Sequence, residues 1–356
     1  MTSALNHPRI LVYGAGAVGT LLGGCLSEVR GEVTLLGRGP SIEEIAKGGL
    51  RVETPSRSFR TSPAAISDLE QLTGQFDVVL LTLRAFAVEQ ALESAKALLA
   101  TDGVLITLQN GIGTEELVQN GLPDVHHIAA SLTLSADIPE PGAISTSSRS
   151  GGIALAPVSP GAPIESIAST FRQTGIPTAT LDSYRSMKWS KLLLNQMANG
   201  IAAILDWKPG QVYRHPDVFR IEQAMLRETM LVISAENERL VSLPGFPVPL
   251  LGWVLRMPPG VARRLLLRQV EGGRGDKLPS LLLDLQAGRR ELEADWLYGA
   301  VAERGDALGT PAPVNRRINT LLKGIAANPE LWETFRDQPG RLIRTVRLAV
   351  EGSSET

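Results

Sequence analysis

One cysteine, four histidines and a net charge of −2 exclude several kinds of protein for this 356-residue chain. Cys25 has no partner for an intramolecular disulfide, so the fold must rest on a hydrophobic core, and a reducing compartment fits that usage. It falls in an expected helix just past a glycine turn, where a small core residue belongs. His7, His126, His127 and His215 show no metal-ligand spacing with cysteine or carboxylates, and no Ser/His/Asp grouping, so no metal is expected. The near-neutral balance provides no basic field for nucleic acid or an anionic membrane. No uninterrupted apolar run approaches the roughly 20 residues of a membrane span, and the opening MTSALNHPRI lacks the layout of a signal peptide. These absences predict a soluble cytoplasmic protein.

What is present is apolar mass: 43% hydrophobic residues, enough for two cores. Short β-branched and leucine runs at 9–13, 33–37, 77–83 and 103–110 alternate with helical patterns at 18–29, 41–47 and 88–99. That alternation predicts a parallel sheet covered on both faces. Residues 128–157 read as hairpin strands around a Pro-Gly turn, followed by one helix and a last strand. After Ser183 strand signals largely stop, and helical patterns cover 186–205, 216–240, 278–308 and 313–326. The expected organisation is an α/β Rossmann-type dinucleotide-binding domain over 1–182 and an all-α domain over 183–356. The Pro-, Gly- and Arg-rich segment 242–277 reads as an insertion of short helices and turns. Its Arg256, Arg263, Arg264 and Arg268 suit a solvated face or a dimer contact better than a membrane surface. The five tryptophans suit core or interface packing better than stacking platforms.

The first apolar run ends in GAGAVG, residues Gly14, Ala15, Gly16, Ala17, Val18 and Gly19, and a helical pattern follows. That context gives the G-x-G-x-x-G spacing a mechanism. The first glycine permits a tight turn, the second lets pyrophosphate approach the backbone, and the third lets helix and strand pack closely. A dinucleotide's phosphates then face the helix N-terminus. Preference for NAD would call for Asp or Glu at the end of the second strand; Gly37 and Arg38 stand there instead. A permanently charged guanidinium suits a 2′-phosphate, so NADP(H) is the expected cofactor. Arg84 and Asn110-Gly111 end the next two runs, at the sheet edge where ligands collect.

In the second half, KLLLNQMANG sets Lys191, Asn195 and Asn199 four residues apart among leucines. At helical spacing their side chains stack along one polar stripe of a largely buried helix, which requires partners. The order of these features, with ELEADWLYGAV at 291–301, resembles the ketopantoate reductases, the 2-dehydropantoate 2-reductases. The resemblance spans most of the chain. It implies an NADPH-dependent enzyme with a Rossmann domain followed by a helical one. It assigns Lys191 as general acid toward the C2 oxygen of a 2-oxo acid. Asn110, Asn195 and Asn199 become amides that hold cofactor and substrate, and Glu293 becomes the catalytic-site carboxylate that anchors substrate and completes the cluster.

Three departures accompany the resemblance. The family's lysine after the third strand is Arg84 here, its substrate-binding serine corresponds to Ser280 with one extra residue before Glu293, and segment 242–277 is long. They leave open a reductase for another 2-oxo acid or an imine. A protein that senses NADP(H) without turnover is a third reading, against which Lys191 argues. The partner expected is a small 2-oxo acid, with room for a homodimer.

Overall fold

The structure is a computed structural model that describes residues 7–30, 32–273 and 278–352; the first six residues and 274–277, the end of the proline-rich segment, lie outside the described residues. The chain divides into two compact units. One comprises Met1–Gln109, Gly113–Met187 and Ser242–Phe246; the other comprises Asn110–Ile112, Lys188–Val241 and Pro247–Thr356.

Among the described residues the first unit contains eleven strands: β1 Ile10–Tyr13, β2 Val33–Leu36, β3 Leu50–Glu53, β4 Ser58–Thr61, β5 Ala64–Ile66, β6 Phe76–Leu81, β7 Leu99–Thr107, β8 His126–Leu132, β9 Ala143–Ser145, β10 Ile153–Pro157 and β11 Thr178–Thr180. Eight form one sheet in the order β11-β10-β8-β7-β6-β1-β2-β5, parallel except where β10 meets β8. Strand β1 is central: Ile10 lies opposite Val33 on one side and Val78 on the other. The chain therefore leaves β1 first toward β2 and later toward β6, which makes the β1–β6 junction the topological switch point.

Period-two alternation assigns the two faces of this sheet. Ile10, Val12, Val78, Leu80, Val104 and Ile106 join one core with Leu22 and Leu26 of the helix Ala17–Arg30 and Phe171 of the helix Ile164–Gln173. Leu11, Val79, Leu81 and Leu105 join the other, with Leu92 of the helix Val88–Leu98 and Val118 of the helix Thr114–Gly121. Burial on both faces is why these strands read as continuous apolar runs.

The reading of 128–157 as a simple hairpin needs correction. Strands β8 and β10 do pair antiparallel, with Ile153 opposite Leu132. Between them, however, β9 leaves to pair in parallel with β3 in a second sheet of order β4-β3-β9. Ile144 is fully buried there in the same core as Leu50 and Val52, which holds β9 away from its sequence neighbours. Residues Ser242–Phe246, the start of the proline-rich segment, also belong to this unit, where the Thr133 hydroxyl donates to the Pro244 carbonyl at 2.8 Å.

Cys25 is 3% exposed on the helix Ala17–Arg30, and burial, helped by Glu28 and opposed by Arg57, pushes its thiol up to about 11. The native fold thus holds this proton more tightly than the unfolded chain, whose thiol titrates near 9.0. The resulting stability is fully present below about pH 9 and is lost as pH rises toward about 11. Cys25→Ala should flatten that alkaline slope in denaturant titrations. In the native wild type, a thiol reagent should react with Cys25 only at the rate of unfolding.

The second unit is helical, but its helices are more broken than their apolar patterns suggest. The stretch 186–205 is two helices, Tyr184–Gln196 and Gly200–Leu205, separated by a turn in which Ala198 takes φ 45°. The stretch 278–308 contains the helix Ser280–Gln286, a π-helical turn Asp295–Gly299 and the helix Ala300–Ala307. In the proline-rich segment, the helices Val248–Arg256 and Pro259–Gly273 flank Met257-Pro258. Trp189, Trp207 and Trp332 are buried, whereas Trp253 is 59% exposed and is not a core residue. Asn315 ties the helix Pro313–Ala327 to the helix Pro216–Ala235, its amide donating to Met225 O and to Glu228 Oε2, both at 2.9 Å. Burial pushes the Glu228 carboxyl above the usual carboxylate range, despite the hydrogen bonds it accepts from Val314 and Asn315.

Candidate functional site

In the first unit, the site begins where β1 ends. Gly14 takes φ 116°, and a Cβ there would lie 2.8 Å from the backbone of Thr82 and Leu83. Two successive N–H groups, of Gly14 and Ala15, donate to the Leu36 carbonyl at 3.0 and 2.9 Å, which fixes the loop to the end of β2. The Thr82 hydroxyl donates to the Gly14 carbonyl at 2.6 Å and fixes it to the end of β6. At Gly19 an added Cβ would meet Gly14 O at 2.3 Å, so only glycine lets the helix Ala17–Arg30 begin so close to the strand.

Gly16 is the contrasting position: an added Cβ would meet no protein atom within 4 Å. Packing therefore does not explain this glycine, whereas close approach of a ligand to the backbone does. The helix that follows has no acidic residue in its first turn, so its N–H groups and dipole meet an anion unopposed. The residues of this loop fit a dinucleotide pyrophosphate.

Gly37 lets the second strand's end approach the loop, since its Cβ would lie 2.7 Å from that of Ala15. Arg38, the next residue, is exposed and makes no ion pair among the described residues. Arg84 is half-buried and opens the short 3₁₀ turn Ala85–Ala87, whose Ala87 N–H donates to the Arg84 carbonyl at 2.9 Å. Two polar residues without an assigned sequence role brace this edge. One is Thr82; the other is Gln109, whose side-chain amide donates to the carbonyls of Leu81 and Leu83 at 2.8 and 3.2 Å. Their only sequence signal is a polar residue at the end of an apolar strand.

In the second unit, Asn110, Asn195 and Glu293 converge. Asn195 donates its amide N–H to Asn110 Oδ1 at 2.9 Å, and Asn110 donates to Glu293 Oε2 at 3.4 Å. Glu293 Oε2 is the acceptor at the end of the chain, so the order Asn195→Asn110→Glu293 sets which way each amide faces. Lys191 is half-buried one turn before Asn195 on the same face of the helix Tyr184–Gln196.

The loop that carries Asn110 depends on a close fit. Gly111 takes φ 89°, and a Cβ there would lie 2.3 Å from the Trp296 carbonyl, to which Ile112 N–H donates at 3.0 Å. Trp296 lies in the π-helical turn Asp295–Gly299, an irregularity of the kind often found at functional sites. Asp295 is a structural partner of the same turn: it accepts from Asn319 at 2.8 Å and pairs with Lys323 at 2.9 Å.

Asn199 departs from the expected stripe. The helix has already ended at Gln196, and Asn199 stands at the N-cap of the next helix. Its amide donates to the Asn195 carbonyl at 3.0 Å and to Ser280 Oγ at 3.5 Å, and its Oδ1 accepts the Leu281 N–H at 3.3 Å. Ser280 is the exposed first residue of its own helix, which ends at Gln286, well before Glu293. The extra residue between Ser280 and Glu293 therefore does not shift one side chain around a shared helix. Among the described residues no group of three or more His, Cys, Asp or Glu could hold a metal, and no helix is long and apolar enough to cross a membrane.

A doubly wound sheet with a glycine loop at its switch point, in a chain that also folds a helical unit, defines a Rossmann-type dinucleotide-binding oxidoreductase. The chain belongs to the ketopantoate reductase family: residues 10–160 match Ketopantoate reductase PanE/ApbA, and residues 183–326 match the family's C-terminal part. It is 30% identical over 321 residues to a 2-dehydropantoate 2-reductase of Pyrococcus horikoshii, covering 88% of this chain and 96% of that protein. Among solved structures, a PanE/ApbA family ketopantoate reductase from Ralstonia eutropha JMP134 is 27% identical with a TM-score of 0.75, covering 90% of this chain and 99% of that one. D-mandelate dehydrogenase, solved with NADH and anilino(oxo)acetate, shares the fold with a TM-score of 0.76 at 22% identity, covering 90% of this chain and 99% of its own.

Proposed function

We propose that this protein is an NADPH-dependent 2-oxo acid reductase that converts ketopantoate to pantoate, with Lys191 as general acid. The observation that carries the reading is the directed chain Asn195→Asn110→Glu293, with Lys191 one helical turn before Asn195. When bound, the nicotinamide cofactor supplies the hydride. Negative charge then builds on the C2 oxygen of the substrate, where the Lys191 ammonium stabilises it and gives up a proton. Asn110 and Asn195 hold no titratable proton, so they orient cofactor and substrate in either redox state. Glu293 anchors the amide chain, and Asn199 holds Ser280 at the start of its helix for contact with substrate.

Gly14, Ala15, Gly16, Ala17, Val18 and Gly19 cradle the pyrophosphate, Arg38 takes the 2′-phosphate, and Arg84 serves the cofactor from the end of the third parallel strand. Residues 1–182 bind the cofactor and residues 183–356 carry out catalysis. The working place is the cytoplasm, and the Arg-bearing helices of 248–273 leave a homodimer open.

The test is cofactor oxidation with ketopantoate against a panel of 2-oxo acids. A clear preference for another acid would support the second reading, a related 2-oxo acid reductase, which Arg84 in the place of lysine and the long 242–277 segment favour. Arg38→Ala should raise KM for NADPH about tenfold or more while leaving NADH use unchanged. Equal losses with both cofactors would remove Arg38 from the 2′-phosphate.

A further inference from the structure

We propose that Glu222 is a positioning residue for this reaction, acting through the helix break at 197–199. The inference rests on the reading of Lys191 and Asn195 as the reacting face. Glu222 lies on the helix Pro216–Ala235 and is completely buried. Its Oε1 accepts the backbone N–H of Ala198 at 2.5 Å and the hydroxyl of Tyr213 at 3.4 Å.

Ala198 is the residue that takes φ 45°, a left-handed conformation that alanine rarely adopts unaided. It is also fully buried, so its N–H needs an acceptor, and the carboxylate of Glu222 supplies one. On the other side of the break, the Tyr298 hydroxyl accepts the Gly200 N–H at 2.7 Å. Before it, Gln196 donates to Leu297 O at 3.1 Å and to Asn315 Oδ1 at 2.8 Å. The break is therefore gripped at residues 196, 198 and 200 by groups outside its own helix.

The functional consequence is geometric. The turn ends the helix immediately after Lys191 and Asn195 have been presented, and it turns Asn199 off their stripe toward Ser280 and Leu281. If the Ala198 N–H loses its acceptor, the chain gains by continuing the helix through 197–199, where that N–H finds a carbonyl four residues back. Asn199 would then rotate back to the face of Lys191 and Asn195 and release Ser280. Glu222 thus decides, without touching substrate, which amides stand beside the acid.

The experiment compares Glu222→Gln, Glu222→Met and the double variant Glu222→Met/Ala198→Gly with wild type. Glutamine keeps an acceptor oxygen, whereas methionine keeps the length and removes it. Glycine adopts the left-handed turn without strain. Steady-state turnover is read together with hydrogen–deuterium exchange of the peptide covering 196–201. Glu222→Gln should retain kcat, and Glu222→Met should lose about 10²-fold in kcat, the penalty of a misplaced reacting group. The methionine variant should leave KM for the cofactor unchanged and change the exchange of 196–201. The double variant should recover at least part of the lost kcat.

The proposal is overturned if glutamine fails as badly as methionine, if methionine leaves kcat intact, or if Ala198→Gly gives no recovery. Should wild type turn over none of the 2-oxo acids, the functional reading fails. The exchange measurement still decides the clamp: unchanged protection of 196–201 in Glu222→Met overturns it.

Discussion

Lys191→Ala is expected to lower kcat about 10²–10⁴-fold, the usual contribution of a positioned general acid, with KM for the cofactor little changed. Reduction of a ketone leaves an alkoxide, and Lys191 is the cation carried one helical turn before Asn195, which bonds to Asn110 and through it to Glu293. Lys191 stands one turn from Asn195 and is half-buried, so in the proposed role its charge would act in a partly dry setting, where it counts for more than in water. Lys191→Arg sharpens the test. It keeps the charge, but a guanidinium does not release its proton near neutral pH. If proton donation is the role, arginine should rescue little of the rate; if Lys191 supplies charge alone, arginine should restore most of it. An unchanged kcat in Lys191→Ala would remove the lysine from the chemistry.

Gly111→Ala is expected to cost about 10²-fold in kcat/KM and roughly 1–3 kcal/mol of stability, although it adds one methyl group. Two penalties meet at this residue. Its φ of 89° is unfavourable for any L side chain, and its Cβ would lie 2.3 Å from Trp296 O and 2.6 Å from Trp296 Cβ. Backbone must move, and the loop that moves carries Asn110, the middle member of the chain between Asn195 and Glu293. Gly113→Ala is the control. Gly113 also has a positive φ, 112°, yet an added Cβ there meets nothing within 4 Å. It should pay the strain and keep the activity; equal kinetic losses in both variants would show that loop strain, not displacement of Asn110, disables the enzyme. Thermal unfolding and steady-state kinetics on the two variants separate these effects.

Much of the first unit was legible in sequence because its determinants are local. A buried parallel strand must be apolar on both faces, and a glycine loop between strand and helix needs glycine at fixed spacings, so both leave continuous signals. Strands β3, β4 and β5 were missed because LRVE, SFRT and AAI are short and partly exposed, with no run long enough to stand out. In the helical unit, the apolar pattern of 186–205 continues straight through the break, since Met197 and Ala198 are both good helix formers. The left-handed turn at Ala198 is held by Glu222, 24 residues later, and nothing in the local sequence announces that.

The sequence by itself determined the doubly wound sheet, the glycine loop after its first strand, the guanidinium at the second strand's end and the i,i+4 relation of Lys191 to Asn195. Each depends on residues close together in the chain, whose sterics and periodicity act before any tertiary contact forms. Only the tertiary structure decided that Asn110 bonds to Asn195 and Glu293, that Asn199 turns to Ser280, and that Gly111 must clear Trp296. Those partners lie 85, 183, 81 and 185 residues apart in the chain, by the differences of their residue numbers. At such separations a hydrogen bond or a steric contact is set by how whole elements pack, and it leaves no spacing in the sequence to read.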